Sequence, residues 1–478
     1  MTAAYIVRFI LTPREFEKLN ALCPFDLSNQ VSALHHSESK SAHVHTFVRQ
    51  HTRLFLKTYG VGLLVQMAIS ARNPVLGGSF RPSRPAIMIT SFSAVYRVLN
   101  RVLSNLARAR LDGVSRKRAI KIAIPMVSAL IAGSVFRILP AGLRDYIALY
   151  LATKAAEYVY NMLDDQGRFN WKPRIVGSWI LIPIAMSQLF YTLICEPDCC
   201  PRVFRGLMLS VSQAYMPQRP VGYPDGKHWP TENEVLASVA EISRLKFPKF
   251  KSRILSPNWQ VPPTLSVIAP VLEMALPSNT TMTGALLHPM NPNERTSFWS
   301  AVSAGYGSTT KYLLPLYLIL GFTRSSRSSG TILASAIGNT FRTATFISMS
   351  VASAWSGIAL SQTLLGTRML PHMRFRIIGF MSGLWAFLDQ VNGRPRALYA
   401  IRMAILSQYN MLIKRRGGKP LVKNGSTIIF SLAMAVIFAV YNTAPESISS
   451  AFIRKLCNWV QTGRYSDPSP LPPSDSSR

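Results

Sequence analysis

Lys154 and Glu157 stand three residues apart inside the apolar run 143–163, a spacing that places both on one helical face. There they can pair and so reduce the cost of burial, or line a polar path between helices; snorkelling of Lys154 to a headgroup layer is the alternative. Arg97 and Arg342 also interrupt apolar stretches. Asn161 and Asn410 each follow a tyrosine, Tyr160 and Tyr409, at the close of an apolar run, where they can hydrogen-bond across a helix interface. A tyrosine at a membrane-interface helix end is the commoner explanation of the pattern. Arg97, Lys154, Glu157, Asn161, Arg342 and Asn410 are therefore the candidate pathway or interface residues.

The chemistry that other residues could do is limited. There is no phosphate-binding loop, Gly305-Tyr306-Gly307 is too short for a dinucleotide fingerprint, and no histidine box suggests a membrane acyltransferase or desaturase. His35, His36, His43, His45 and His51 lie in a Ser-rich polar stretch, where solvated histidine is the ordinary outcome. Cys195, Cys199 and Cys200 lack a partnering pair at zinc-finger spacing and read as thiols, free or lipid-modified, at a membrane boundary. No catalytic residue, metal or cofactor is expected, and the chain reads as a non-enzyme.

The elements that carry these residues are membrane-length apolar segments. Residues 175–194 run without a charge, enough to cross a bilayer core at about 1.5 Å per residue. Residues 425–443 form a counterpart, and 122–136, 312–322 and 343–366 add further apolar stretches. Runs 54–71, 86–107, 143–163 and 394–413 carry internal charges and read either as spans facing a protein interior or as surface amphipathic helices. Of about five candidate helices per half, about four are expected to span.

The second half repeats the first at an offset of roughly 250 residues. Tyr160-Asn161-Met162-Leu163 returns as Tyr409-Asn410-Met411-Leu412, Gly177-Ser178 as Gly425-Ser426, Ala185-Met186 as Ala433-Met434, and Pro197 as Pro445. Arg97 corresponds to Arg342. The expected fold is thus all-α: a polytopic membrane protein of two tandem homologous helical bundles. Its organisation is an N-terminal segment 1–32, a first membrane repeat 33–205, a soluble Pro-rich connector 206–284, a second membrane repeat 285–460 and a disordered tail 461–478. Small residues such as Gly133 with Ala129, and Gly379 with Gly383, suit close helix contact within each bundle.

Charge sets the partners. In 478 residues, 48% are hydrophobic and only 15% charged, yet Lys+Arg number 53 against 21 Asp+Glu, a net charge of +32. The basic residues fall between apolar runs, at 108–121 and 414–423, as loops facing one aqueous side would. The expected partner is therefore the lipid bilayer, anionic lipid included, rather than nucleic acid.

Residues 286–319, LLHPMNPNERTSFWSAVSAGYGSTTKYLLPLYLI, resemble the transmembrane protein 135 family. His288-Pro289-Met290-Asn291-Pro292 and Leu314-Pro315-Leu316-Tyr317-Leu318 match that family's His-Pro-Trp-Asn-Pro-Ser-Cys type motif and its later Tyr-x-Pro-x-Tyr-Leu-like phrase. Met290 stands where Trp is usual, and Asn293-Glu294 where Ser-Cys would be. The resemblance marks His288, Pro289, Asn291 and Pro292 as motif residues. It implies a multi-pass protein of peroxisomal or mitochondrial membranes, linked to lipid metabolism and mitochondrial dynamics, and the expected function is support of lipid or metabolite transport or of peroxisomal-mitochondrial homeostasis. It also implies distant kinship with the translocase-type four-helix proteins of the mitochondrial inner membrane. The alternative is a non-transporting membrane scaffold that recruits partners through its basic loops and central connector.

Overall fold

The computed structural model describes residues 83–462 except 170–176, 225, 253, 325–328, 366–372 and 391–392, together with parts of 51–67 and Ser466–Asp467. The segment 1–32, the histidines before His51 and the end of the tail lie outside the described residues. Among the described residues the regular structure is helical, with a single isolated bridge between Lys249 and Thr281. The all-α expectation holds.

Among the described residues four helices are long and apolar enough to cross a membrane: α2 (Gly113–Ile138), α4 (Ser178–Cys195), α10 (Ser329–Leu365) and α13 (Gly425–Thr443). The basic segment at 108–121 is only partly a loop. Arg116, Lys117 and Arg118 lie exposed on the first turns of α2, before a π-helical turn at Ala119–Ala123. The other long helices, α1 (Ser83–Arg110), α3 (Ala141–Asp165), α9 (Glu294–Arg324) and α12 (Gly393–Arg415), enclose the charged runs seen in the sequence.

Helices α4 and α13 end alike. Each is followed within two residues by proline, Pro197 or Pro445, which cannot donate to the last turn and disfavours helical geometry in the residue before it. That preceding residue has nearly the same backbone in both places, φ −138° and ψ 60° at Glu196, φ −145° and ψ 72° at Ala444. A 3-10 turn follows in each, Pro197–Cys199 and Pro445–Ser447.

The chain divides into two compact units, one of Met1–Trp171 with Val422–Arg478 and the other of Lys172–Leu421. They are drawn differently from the contiguous segments 33–205 and 285–460. Helix α4 belongs with α9, α10 and α12, and α13 belongs with α1–α3.

In the first unit α13 packs along α3 and α2, and α1 along α2; α14 (Ala451–Thr462) lies against α1. Tyr96 stacks on Phe438 with ring centroids 4.5 Å apart, and Phe136 on Phe430 at 3.9 Å, so an aromatic layer ties α1 and α2 to α13. Gly133 allows the closest approach. A side-chain carbon there would fall 2.7 Å from Ser431 Cα, well inside the contact distance of about 3.5–4.0 Å for carbon pairs.

In the second unit α4 packs between α11 (Met373–Gly383) and α12, and α9 packs along α10. Here Gly383 makes the same kind of approach, with an added carbon 2.5 Å from Pro183 Cα on α4. One turn earlier Gly379 faces the Met186 carbonyl and Phe190 of the same helix. The Pro-rich connector is a packed part of this unit. Thr231 and Glu234 form a capping box at the start of α6 (Glu232–Arg244). Val239, Ile242, Phe247, Leu265 and Val271 then share one core with Leu189 and Leu193 of α4 and Trp355 of α10. Burial of its apolar residues, rather than regular structure throughout, anchors this segment.

Candidate functional sites in the two helical units

In the first unit Lys154 Nζ donates to Glu157 Oε2 at 2.7 Å, and the ammonium also lies 6.0 Å from the centre of the Tyr158 ring. Glu157 is buried at 8% exposure, so the pairing rather than solvent holds its charge. The expected pair forms, on a single helix.

Arg97 and Arg342, paired in the sequence reading, have different surroundings. Arg97 reaches the end of α14, donating from Nε to the Val460 carbonyl at 2.9 Å and from Nη2 to the Trp459 carbonyl at 2.6 Å, with its guanidinium 4.7 Å from the Trp459 ring centre. A cation on the last carbonyls of a helix satisfies acceptors that the helix leaves open. Arg342 lies exposed on α10. The structure therefore gives Arg97 a helix-ending role and leaves Arg342 exposed on α10.

Asn161 and Asn410 make the same bond in the two units. Asn161 Nδ2 donates to the Ser447 carbonyl at 2.9 Å, and Asn410 Nδ2 donates to the Cys199 carbonyl at 3.3 Å. Each asparagine thus holds the 3-10 turn after a long helix, and each acceptor is the third residue of that turn. In the second unit Lys414 adds an ion pair to Glu196 at 2.6 Å at the start of the same turn. In the first, Ser447 Oγ donates to Asp165 Oδ2 at 2.7 Å.

A further buried acid, absent from the sequence candidates, links several helices. Asp389, 2% exposed at the end of the 3-10 turn Leu384–Asp389, pairs with Arg396 of α12. Thr343 of α10 donates to Asp389 Oδ2 at 3.1 Å, and its hydroxyl lies 2.9 Å from Tyr317 Oη. Arg396 Nη2 donates to that phenol oxygen at 2.5 Å. Four helical elements therefore converge on one network, with Thr343 and Asp389 buried and Tyr317 and Arg396 half-buried. Its signal in the sequence is a lone acid ending the apolar stretch 377–389, followed seven residues later by arginine. A second ladder joins α4 to its neighbours: Arg376 donates to Gln188 Oε1 at 2.8 Å, and Ser407 donates to Thr192 Oγ1 at 2.9 Å.

The family-like motif forms the turn between α8 (Met282–Leu287) and α9. The Pro289 carbonyl accepts from Leu276 N at 2.8 Å and Asn279 Nδ2 at 3.1 Å, and Asn291 Oδ1 accepts from Asn293 N at 3.2 Å. Pro292 is exposed. The His288 ring packs edge-on to Tyr215 at 5.7 Å, and its buried Nε2 has no hydrogen-bond partner among the described residues. Burial disfavours the imidazolium and lowers the His288 pKa to about 4. These residues build the turn and set the first residue of α9, Glu294.

Tyr317, within the second family-like phrase, supplies the phenol of the Asp389 network. Among the described residues no group of three or more His, Cys, Asp and Glu side chains is placed to hold a metal ion. Burial raises the thiol pKa of Cys200 to about 11, which favours the protonated thiol at neutral pH. Compared with protein-family models, with curated proteins and with solved structures, the chain finds no match in any of the three.

Proposed function

We propose that this chain is an integral membrane protein of duplicated four-helix units that supports lipid or metabolite movement in a peroxisomal or mitochondrial membrane, with no catalytic step of its own. The observation that carries the membrane reading is which residues face outward. On α13 the buried side includes Thr427, Ser431, Ala433 and Ala435, while Ile428, Ile429 and Leu432 are 45–52% exposed. The same holds on α10, where Ala344, Ala352 and Ala359 are buried and Ile337, Phe341 and Leu360 are exposed. Large side chains are buried on the same helices, Phe430, Ile437 and Phe438 on α13 and Trp355 and Ile358 on α10, so the support for lipid contact is the large apolar surface left outside, which in water would be an aggregation hazard.

Three paired observations support the duplication. The Asn161 and Asn410 bonds are equivalent under an offset of roughly 250 residues, as are the Gly133–Ser431 and Gly383–Pro183 approaches and the turns at Pro197 and Pro445. In each pair one member comes from either repeat, so the fourth long helix of each repeat is exchanged into the other's unit. The transport reading rests on the Tyr317–Thr343–Asp389–Arg396 network, with its acid buried, because ionisable groups among apolar helices are costly and most often serve a path or substrate. The resemblance around His288 supplies the organelle and the lipid link.

The test begins with alkaline carbonate extraction of native membranes. Retention in the pellet is expected; release into the supernatant would end the membrane reading. Asp389→Asn and Arg396→Gln are then compared for organelle lipid content at equal protein level. Wild-type lipid content in both variants would remove the network from any pathway and leave the scaffold reading, in which deletion of 206–284 alone mimics loss of the protein.

A further inference from the structure

A cavity of about 970 Å³ opens along α9, α10 and α11 in the second unit. Its wall is almost entirely apolar, and Leu360, Leu364 and Met381 remain 50–74% exposed along it. From Ser353 to Leu364 of α10 the groove extends roughly 16 Å, the scale of an extended acyl chain. One end differs from the rest. Glu294 and Arg295, the first residues of α9, line it together with Trp299, whose indole is 61% exposed.

Neither charge is neutralised locally. Among the described residues Glu294 and Arg295 have no ion-pair partner, and Glu294 Oε2 is buried without a hydrogen bond. Burial raises the Glu294 pKa, the mark of a carboxylate short of a cation. A simple anionic lipid would place its charge beside this carboxylate. A ligand with both signs of charge at its head and a hydrocarbon tail would satisfy the acid, the base and the apolar wall together. An exposed tryptophan at the same level suits a headgroup boundary.

We propose that this groove binds a zwitterionic phospholipid bearing a primary amine, with its ammonium at Glu294, its phosphate at Arg295 and one acyl chain along α10. The inference rests on the membrane reading above and names the lipid class that this unit would hold. A primary ammonium can donate hydrogen bonds to the buried carboxylate, which a quaternary amine cannot. That distinction sets the order of preference among headgroups.

The full chain, purified in detergent, is offered dioleoyl phosphatidylethanolamine, phosphatidylcholine and phosphatidylglycerol in equal amounts, and the retained lipid is counted by native mass spectrometry. Phosphatidylethanolamine should be retained about tenfold over phosphatidylglycerol, the effect of one charge-assisted hydrogen bond gained and one repulsion avoided. Glu294→Gln should remove that preference, Arg295→Gln should lower retention of both zwitterionic lipids, and Leu360→Trp should fill the groove and lower retention of all three. Arg342→Gln, exposed on α10 away from the groove, should change nothing. Equal retention of the three lipids, a preference for phosphatidylglycerol, an unchanged preference in Glu294→Gln, or a protein segment in place of lipid would each overturn the proposal. Carbonate release removes the membrane reading, whereas a membrane-retained protein without amine preference removes this inference alone.

Discussion

Replacing Gly383 with alanine puts a methyl group where the backbone of α4 already lies. The added carbon would sit 2.5 Å from Pro183 Cα and 2.9 Å from Pro183 N, against a favourable carbon separation of about 3.5–4.0 Å. Backbone atoms cannot rotate aside as a side chain can, so α4 and α11 must separate by about 1 Å. Overpacking of this kind costs about 1–3 kcal/mol, with a rigid obstacle favouring the upper half. Alanine returns up to about 1 kcal/mol by restricting the unfolded chain, leaving a net loss of roughly 1–2 kcal/mol. Gly338 on α10 is the control, since an added carbon there meets nothing within 4 Å. The assay is the Tm of detergent-purified protein, read as loss of the monodisperse peak after heating. At about 2–4 °C per kcal/mol for units of this size, Gly383→Ala should melt roughly 2–8 °C lower, and Gly338→Ala unchanged or higher. A Gly383→Ala protein that melts at or above the wild type would refute the packing of α4 against α11.

Further outcomes follow from the same geometry. Arg396→Leu strands the buried Asp389 carboxylate and should cost about 3–5 kcal/mol, whereas Asp389→Asn with Arg396→Gln should cost less than the sum of the two single changes in a double-mutant cycle. Asn161→Ala and Asn410→Ala should each cost about 1 kcal/mol, and equal values by denaturant titration would match their shared bond geometry. His288 has a folded pKa of about 4, below its unfolded value near 6.5, so the unfolded chain binds more protons between those values. The His288 contribution is therefore fully present above about pH 6.5 and lost as pH falls towards 4, a loss on the order of 2 kcal/mol that His288→Phe should abolish in thermal scans across that window. A chain ending at Leu421 lacks α13, so limited proteolysis should cut the 83–171 region while 178–415 stays protected; the reverse pattern would contradict the grouping of α13 with α1–α3.

Helix identity was written locally in this sequence. Apolar length marked α4, α13 and the second part of α10, proline set the ends of α4 and α13, and Thr231 with Glu234 capped the start of α6, because each of these signals acts within a few residues of itself. The i,i+3 pairing of Lys154 with Glu157 was equally legible, since helix geometry alone brings the two together. Matching asparagines, glycines and prolines in the two halves were also visible, but not what each would touch. That Asn161 holds the turn at Ser447, 286 residues away, and that Gly133 meets Ser431, depends on which helices share a unit. Apolar helices of similar composition offer no local preference between partners; the choice comes from close fit and hydrogen-bond geometry. For the same reason Arg97 and Arg342 looked equivalent and are not, since only a neighbouring helix end, α14 beside Arg97, gives a guanidinium its acceptors. The Asp389–Arg396 network and the packed connector were likewise decided in three dimensions, where residues distant in the chain supply the partners that make burial of charge, or of a proline-broken segment, tolerable.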